Sequence, residues 1–351
     1  MKSLFVSLLL ACAGTVTGQE PAATLKPKFS DELLRLQIFL DRELFGPGKL
    51  DGLPGEFTAK ALDRYCSAHG LAPGSIEAPG FDVATEVPEI YTTYTIREED
   101  RKFVGSVPSK PEQQSLKKYL PYGSLLEFLA ERFHCSEGLL RFLNAPLPGL
   151  DLDSAKPGDV VKVPNVEPFR IEDLAPVPSL PEVPEFRSRI IFIDTRERML
   201  ELYESECGPL LASFPITPGS GRLATPPGHW KIVGIAVMPT FRWDESVLEY
   251  GVRSDQFYQL PIGPNNPVGI LWAGLSKPGI GIHGTNNPET IGRASSHGCM
   301  RTANWDAIRL SKLMTKGIRV IIEGPSPPPK AKPKPAAPAP PARKPWFWWL
   351  Q

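Results

Sequence analysis

The stretch from Gly281 to Asn304, GIHGTNNPETIGRASSHGCMRTAN, gathers residues whose types and spacing suit nucleophilic thiol chemistry. Gly298 precedes Cys299, and its missing side chain lets a substrate come close to the thiol and to the backbone N–H. A free thiol is mostly protonated near neutral pH, so an imidazole must take its proton or hold it in an ion pair. Two of the chain's five histidines lie in this stretch, His283 and His297. His297 stands two residues before the cysteine, a spacing that turns it to the other side. His283 ends a predicted strand and arrives from a separate segment, so it is assigned the role of general base and acid. Ser296 to Arg301 reads as a tight turn entering a helix, with Asn304 as N-cap, Asp306 near the positive helix end and Gly317 as the stop. No HExxH or paired-cysteine spacing is present, and neither a metal nor a cofactor is expected.

Elements of β type must position these residues. Between Arg189 and Gly324 short apolar runs fall at Ile190–Ile193, Met199–Tyr203, Leu210–Pro215, Trp230–Val237, Val268–Ala273, Ile280–His283 and Ile318–Ile322. Pro218-Gly219, Pro227-Gly228 and Pro278-Gly279 punctuate them. The pattern predicts a mainly β, sandwich-like domain with one helix after the cysteine.

The order HGT at 283–285, SHGC at 296–299, Arg301 and Asn304 resembles the catalytic domain of the YkuD family of L,D-transpeptidases. Thr225-Pro226-Pro227-Gly228-His229-Trp230 is similar to the family's TPxGxF segment, and Asn266-Pro267-Val268-Gly269 to its NPxG segment. Met300 and Thr302 depart from the usual residues without touching the chemistry. The resemblance covers residues 187–323. It implies Cys299 as nucleophile, His283 as proton carrier with the Gly284 carbonyl orienting its ring, and His297 shaping the pocket. It further implies substrate contacts from Ser296, Gly284, Gly298, Arg301 and Asn304. The N–H groups of Gly298 and Cys299, beside a helix start, are the implied oxyanion donors. Arg301 either pairs with a substrate carboxylate or braces the loop. The implied reaction forms a thioester with a peptidoglycan tetrapeptide stem, releases D-alanine and passes the acyl group to an amine on another stem or on a protein lysine. Water as acceptor would make an L,D-carboxypeptidase, and loss of chemistry would leave a wall-binding protein.

Two smaller units precede this domain, so the fold class is multidomain α+β. Leu33, Leu36, Leu40 and Leu44 recur at helical spacing, and a Gly-Pro-Gly turn leads through Asp51-Gly52 to a second helix from Thr58. Leu36-Gln37, Asp51-Gly52, Gly55, Thr58, Ala61 and Leu62 resemble the peptidoglycan-binding type 1 module over residues 29–70. Residues 71–115 read as a connector with one strand near Tyr91–Ile96. Residues 116–165 resemble a βααβ LysM module, carried by Gly123, Leu126, Ala130, Phe133, Asn144 and the closing run from Gly158 to Pro164, with a weak first strand at Lys118–Pro121. Such modules grip glycan strands or serve as spacers. A proline-rich linker over 166–186 predicts independent motion of the two sides.

Export is read from the N-terminus. Met1-Lys2, the apolar run Leu4–Ala11 and a small, polar stretch to Gln19 form a signal peptide over 1–18, far short of the ~20 residues of a spanning helix. Leu9-Leu10-Ala11-Cys12 offers lipidation at Cys12 as the rival reading. The periplasm or cell wall is the expected location. Lys and Arg number 39 and Asp and Glu 39, which removes the footprint of a nucleic-acid binder. Cys66, Cys135 and Cys207 are expected in the core. Most of the 40 prolines must lie in linkers, turns and a tail over 324–351, whose Trp346-Phe347-Trp348-Trp349 end suits a membrane surface.

Overall fold

The computed structural model describes residues 28–74, 82–147, 150–220, 223–250, 252–293, 296 and 298–325. The leader, Cys12, His297 and the tail beyond residue 325 lie outside them. Ser30 starts the first helix, α1 (Asp31–Arg42), by accepting the Leu33 N–H at its hydroxyl (3.2 Å). Leu34, Ile38 and Leu40 of α1 are fully buried. Gln37 on the same helix is buried too, and its amide knits the following turn. Its Oε1 accepts from the N–H groups of Asp51 (3.0 Å) and Gly52 (2.9 Å), while Nε2 donates to Asp51 Oδ1 (3.0 Å) and Thr58 Oγ1 (3.2 Å). Gly52 needs its lack of Cβ, because φ is +64° and a side chain would run into Phe29. The next helix, α2 (Glu56–Ala68), begins two residues before Thr58, and a single turn, α3 (Val83–Glu86), follows.

The βααβ unit forms with a different opening strand. The first strand is β1 (Tyr91–Thr95), inside the expected connector, and it pairs antiparallel with β2 (Val160–Pro164) from Tyr91↔Pro164 to Thr95↔Val160. Lys118–Pro121 forms no strand. Its proline lacks the ladder donor, whereas the Tyr and Thr residues of β1 suit a pleated surface. Between the strands run α4 (Pro111–Gln114), α5 (Leu125–Arg132) and α6 (Glu137–Asn144), the last two capped by Ser124 and Ser136. Asn144 fastens α6 to β2, donating to Lys162 O (2.9 Å) and accepting from Lys162 N (2.7 Å).

The proline-rich stretch is pinned, contrary to the expected hinge. Val177 exchanges both backbone bonds with Val237, Leu180 N donates to Ile235 O (2.7 Å) and Val183 N to Thr315 Oγ1 (2.9 Å). These three donors recur every third residue, the period of an extended proline-type helix, so one edge of it meets the sheet while prolines occupy other positions.

That sheet is built from β3 (Ile190–Asp194), β4 (Met199–Tyr203), β5 (Leu210–Pro215), β6 (Gly228–Val237), β9 (Leu271–Leu275), β10 (Gly281–His283), β11 (Met300–Arg301) and β12 (Arg319–Glu323). Beside it β7 (Phe241–Trp243) and β8 (Tyr258–Leu260) form a hairpin that includes α7 (Glu245–Tyr250). The order is β11-β10-β9-β6-β12-β3-β4-β5, one continuous sheet where two separate layers were expected. Strand β6 joins the halves: Gly228–Lys231 pair with β12 and Ile232–Val237 with β9, with a register shift between Ile232 and Gly234.

Helix α8 (Asn304–Ser311) lies between the sheet and the N-terminal units, and Trp305, Ala307 and Leu310 are buried on different sides of it. Across this seam Arg309 holds Asp41 (2.6 Å), Trp305 stacks on His134 (centroids 5.3 Å apart, 13°), and Phe45 bridges to Ser213. Leu120 N donates to Ile262 O (2.9 Å), and Arg64 pairs with Glu201 (2.7 Å). Cys66 and Cys135 are buried, but Cys207 is exposed in the turn between β4 and β5, which removes it from the core. No disulfide joins the described cysteines. Among the described residues no helix is long and apolar enough to cross a membrane.

Candidate active site

Three short strands set the site. Strand β10 pairs antiparallel with β9 and parallel with β11, with Ile282 beside Met300 and His283 beside Arg301. Residues paired across a parallel ladder present their side chains on one face, so His283 and Arg301 share it, and Cys299 immediately precedes β11. Ile282 and Met300, both fully buried, fill the other.

The ring of His283 is fixed on two sides. Its Nδ1 lies 2.6 Å from the Gly284 carbonyl. A carbonyl only accepts, so Nδ1 carries the proton and Nε2 is left with the lone pair. Trp272, directly across on β9, stacks on the ring at 5.6 Å and 23°. Burial pushes the imidazole down to about 4, against the Gly284 hydrogen bond and with the help of the Arg301 charge. Burial also pushes the Cys299 thiol up to about 11, against a backbone hydrogen bond and Arg301. The Sγ atom donates to the Gly279 carbonyl at 3.4 Å. At neutral pH both groups are therefore uncharged.

The turn that carries Cys299 is braced from within. Ser296 Oγ donates to Cys299 O (2.5 Å) and accepts from Gly298 N (3.2 Å), while Ser296 N donates to Pro218 O (3.1 Å). Ser296 thus holds the loop rather than facing a substrate, and the Gly298 N–H is engaged. Gly298 has φ of +112°, and Gly219 packs so near it that a Cβ there would collide with the Gly298 backbone. Thr225 Oγ1 accepts from Gly219 N (2.8 Å), and Asn266 Nδ2 donates to Pro261 O (2.7 Å). These two family segments support the walls of the site.

Several expected placements change. The chain leaves Cys299 into strand β11, and α8 begins only at Asn304, with Ala303 as the N-cap. The helix N-terminus therefore does not face the thiol, and the helix ends at Ser311, well before Gly317. Asn304 is fully buried behind β10, not at the substrate face. Its Oδ1 accepts from Thr285 N (3.1 Å) and Ile270 N (3.2 Å). Gly284 acts through its carbonyl on His283. The Arg301 side chain is half-buried, and no described carboxylate pairs with it. His297 lies outside the described residues.

A cavity of about 610 Å³ is lined in part by Trp272, which stacks on His283, and Gly279, whose carbonyl accepts from Cys299, together with Met238, Phe241, Arg242 and Val268. Trp272, Gly279 and Arg242 are absent from the sequence expectation. Trp272 sits in a predicted strand, but its register opposite His283 is not a sequence signal. Arg242 is fixed by Asp244 (2.9 Å) and Ser254 O (2.5 Å) within the hairpin. Among the described residues no group of three or more His, Cys, Asp or Glu could hold a metal ion.

The chain is similar to known proteins over its C-terminal sheet. The family profile of the YkuD L,D-transpeptidase catalytic domain matches residues 188–322. The putative L,D-transpeptidase YkuD of Bacillus licheniformis is 30% identical over 200 residues, covering 57% of this chain and 94% of the relative. Its Bacillus subtilis namesake is 51% identical over 59 residues, 17% of this chain and 36% of the relative. A crystal structure of Enterococcus faecium L,D-transpeptidase matches at 19% identity and a TM-score of 0.29, over 39% of this chain and 50% of that one. With nearly the whole length of the first relative aligned, the chain belongs to the YkuD family of L,D-transpeptidases.

Proposed function

We propose that this protein is an exported cysteine L,D-transpeptidase acting on peptidoglycan. His283 Nε2 takes the Cys299 proton as the sulfur attacks the carbonyl of the diamino acid at the third position of a tetrapeptide stem. The tetrahedral oxyanion is held by the Cys299 N–H. The carbon–nitrogen bond then breaks, His283 returns the proton to the departing D-alanine amine, and a thioester remains. An acceptor amine attacks that thioester, gives its proton to His283 and displaces the thiolate, which is reprotonated. Export removes ATP from the compartment, and the acyl-enzyme conserves the energy of the original amide. Arg301 pairs with a stem carboxylate, a role supported by its lack of a described acidic partner.

The observation that carries this reading is the register that sets Arg301 beside His283, with Cys299 just ahead of β11 and Nδ1 tied to Gly284 so that Nε2 keeps its lone pair. The units at 29–70 and 116–165, the latter opened by β1, are proposed to hold glycan strands near the catalytic domain at 187–323. A membrane-contacting tail and the cleavage after residue 18 belong to the same proposal.

The test incubates the mature protein with tetrapeptide muropeptides and follows mass. Loss of D-alanine with joining of two stems is expected. Loss of D-alanine with release of a tripeptide alone would make the protein an L,D-carboxypeptidase. Turnover undiminished in Cys299→Ala would overturn the mechanism.

A further inference from the structure

The buried carboxyl group of Glu131, whose pKa burial pushes up to about 8, lies on α5, outside the catalytic domain, yet it reaches the back of the catalytic strand. Asn304 Nδ2 donates to both of its oxygens, at 2.9 and 3.1 Å, and the Tyr122 hydroxyl donates to one of them at 2.7 Å. The other end of the Asn304 amide accepts the N–H groups of Thr285 and Ile270. A Cβ added at Gly269 or Gly284 would collide with Asn304 Oδ1, so this oxygen fills the space those glycines leave. Gly284 in turn presents its carbonyl to His283 Nδ1.

An asparagine amide has two orientations of nearly equal shape. The flipped one would point its oxygen at a carboxylate and its NH2 at two backbone donors. Only an acceptor at the position of Glu131 makes the observed orientation the one in which every group is paired.

We propose that Glu131 is a positioning residue for the catalytic histidine, supplied by the N-terminal part of the chain through Asn304 and the Gly284–Thr285 backbone. The LysM-like unit is then a component of the active site's support as well as a neighbour of the catalytic domain. This rests on the reading of His283 as the base. Glu131 touches no substrate, and its effect falls on the orientation and tautomer of the imidazole.

The full chain tests it through Glu131→Met and Glu131→Gln. Methionine conserves volume and removes the acceptor, which leaves Asn304 Nδ2 and the Tyr122 hydroxyl unpaired. Glutamine keeps one acceptor oxygen. The expected result is that Glu131→Met lowers kcat at least tenfold with KM nearly unchanged, and that Glu131→Gln recovers most of the loss. In nitrogen-15 histidine spectra the His283 Nδ1–H signal should shift or broaden in Glu131→Met and return toward its wild-type position in Glu131→Gln. A folded Glu131→Met protein with wild-type kcat and an unmoved Nδ1–H signal overturns the proposal. Should the protein prove inactive on muropeptides, the spectrum still decides whether Glu131 governs the His283 ring, so the two readings fail separately.

Discussion

The amides of Gln37 and Asn144 in the N-terminal units and the imidazole and thiol of the catalytic sheet are all motif residues, but they end in opposite states. The first two are engaged completely. Gln37 closes the Asp51-Gly52 turn and Asn144 fastens helix to strand, so these side chains build the folds of their own units. His283 instead ends a short strand near the sheet's edge and Cys299 immediately precedes another, each is tied by one backbone carbonyl, and the Nε2 lone pair stays available. Ser296 and Asn304 lie next to them in sequence yet belong to the first class, because their polar atoms are taken up by backbone and Glu131. A motif therefore mixes reactive groups with the groups that hold them, and only the hydrogen-bond partners separate the two.

Substitution breaks the comparison most sharply at His283. His283→Ala should lower kcat by about 10²- to 10⁴-fold, the usual worth of a general base, while the melting temperature stays near the wild type. Steady-state kinetics beside calorimetry checks this, and a loss of fold equal to the loss of rate would move His283 into the structural class. Gln37→Ala should behave in reverse. It leaves two backbone N–H groups without their acceptor at a cost of about 1–3 kcal/mol, read from urea unfolding, with kcat unchanged. A catalytic defect in a folded Gln37→Ala protein would erase the distinction.

Much of the catalytic sheet is legible in the letters. The strands at Met199–Tyr203 and Leu210–Pro215 match their apolar runs residue for residue, because turn residues on both sides leave little freedom in their limits. The opening strand of the βααβ unit is not legible, because a strand's partner is a long-range property and β1 meets β2 across the whole of α4, α5 and α6. The same limit hides Trp272 opposite His283. Helix α8 carries Asp306, which a sequence reading assigns to a helix end, yet it is buried, as is Trp305, because a second unit covers the outward side. The prolines of 166–186 suggest a free linker only while the remaining N–H groups have no acceptor, and the end of β6 together with Thr315 supplies them.

The reactive pair can be sharpened by pH. With the thiol at about 11, alkylation of Cys299 by iodoacetamide in the absence of substrate should quicken about tenfold per pH unit from neutrality upward, following the thiolate fraction. Mass spectrometry of the Cys299 peptide gives the rate, with exposed Cys207 as the internal reference. A rate already flat at pH 7 would mean a preformed ion pair. On the acid side the imidazole stays neutral down to about 4, so the base itself should not limit turnover above that pH.

The smallest effect lies at the seam, at Asp306. It is 1% exposed, and neither carboxylate oxygen has a hydrogen-bond partner among the described residues. Burial pushes it up to about 8, against the attraction of Arg309 and with the repulsion of Asp41. Its pKa is higher folded than unfolded, so between about 4 and 8 the folded protein keeps a proton that the unfolded chain has released. The resulting stabilisation is complete below about 4 and is lost as pH rises toward 8, at no more than about 1.4 kcal/mol per pH unit. Asp306→Asn has nearly the same shape and no proton to lose. Urea midpoints at pH 5, 6, 7 and 8 should therefore show the variant gaining on the wild type as pH rises. The buried His134 across the seam, whose pKa is lowered mainly by burial, works in the other direction, and comparing the two proteins at each pH largely removes its contribution. A difference that stays constant across the series would mean that Asp306 is ionised throughout and that Arg309 compensates its burial fully.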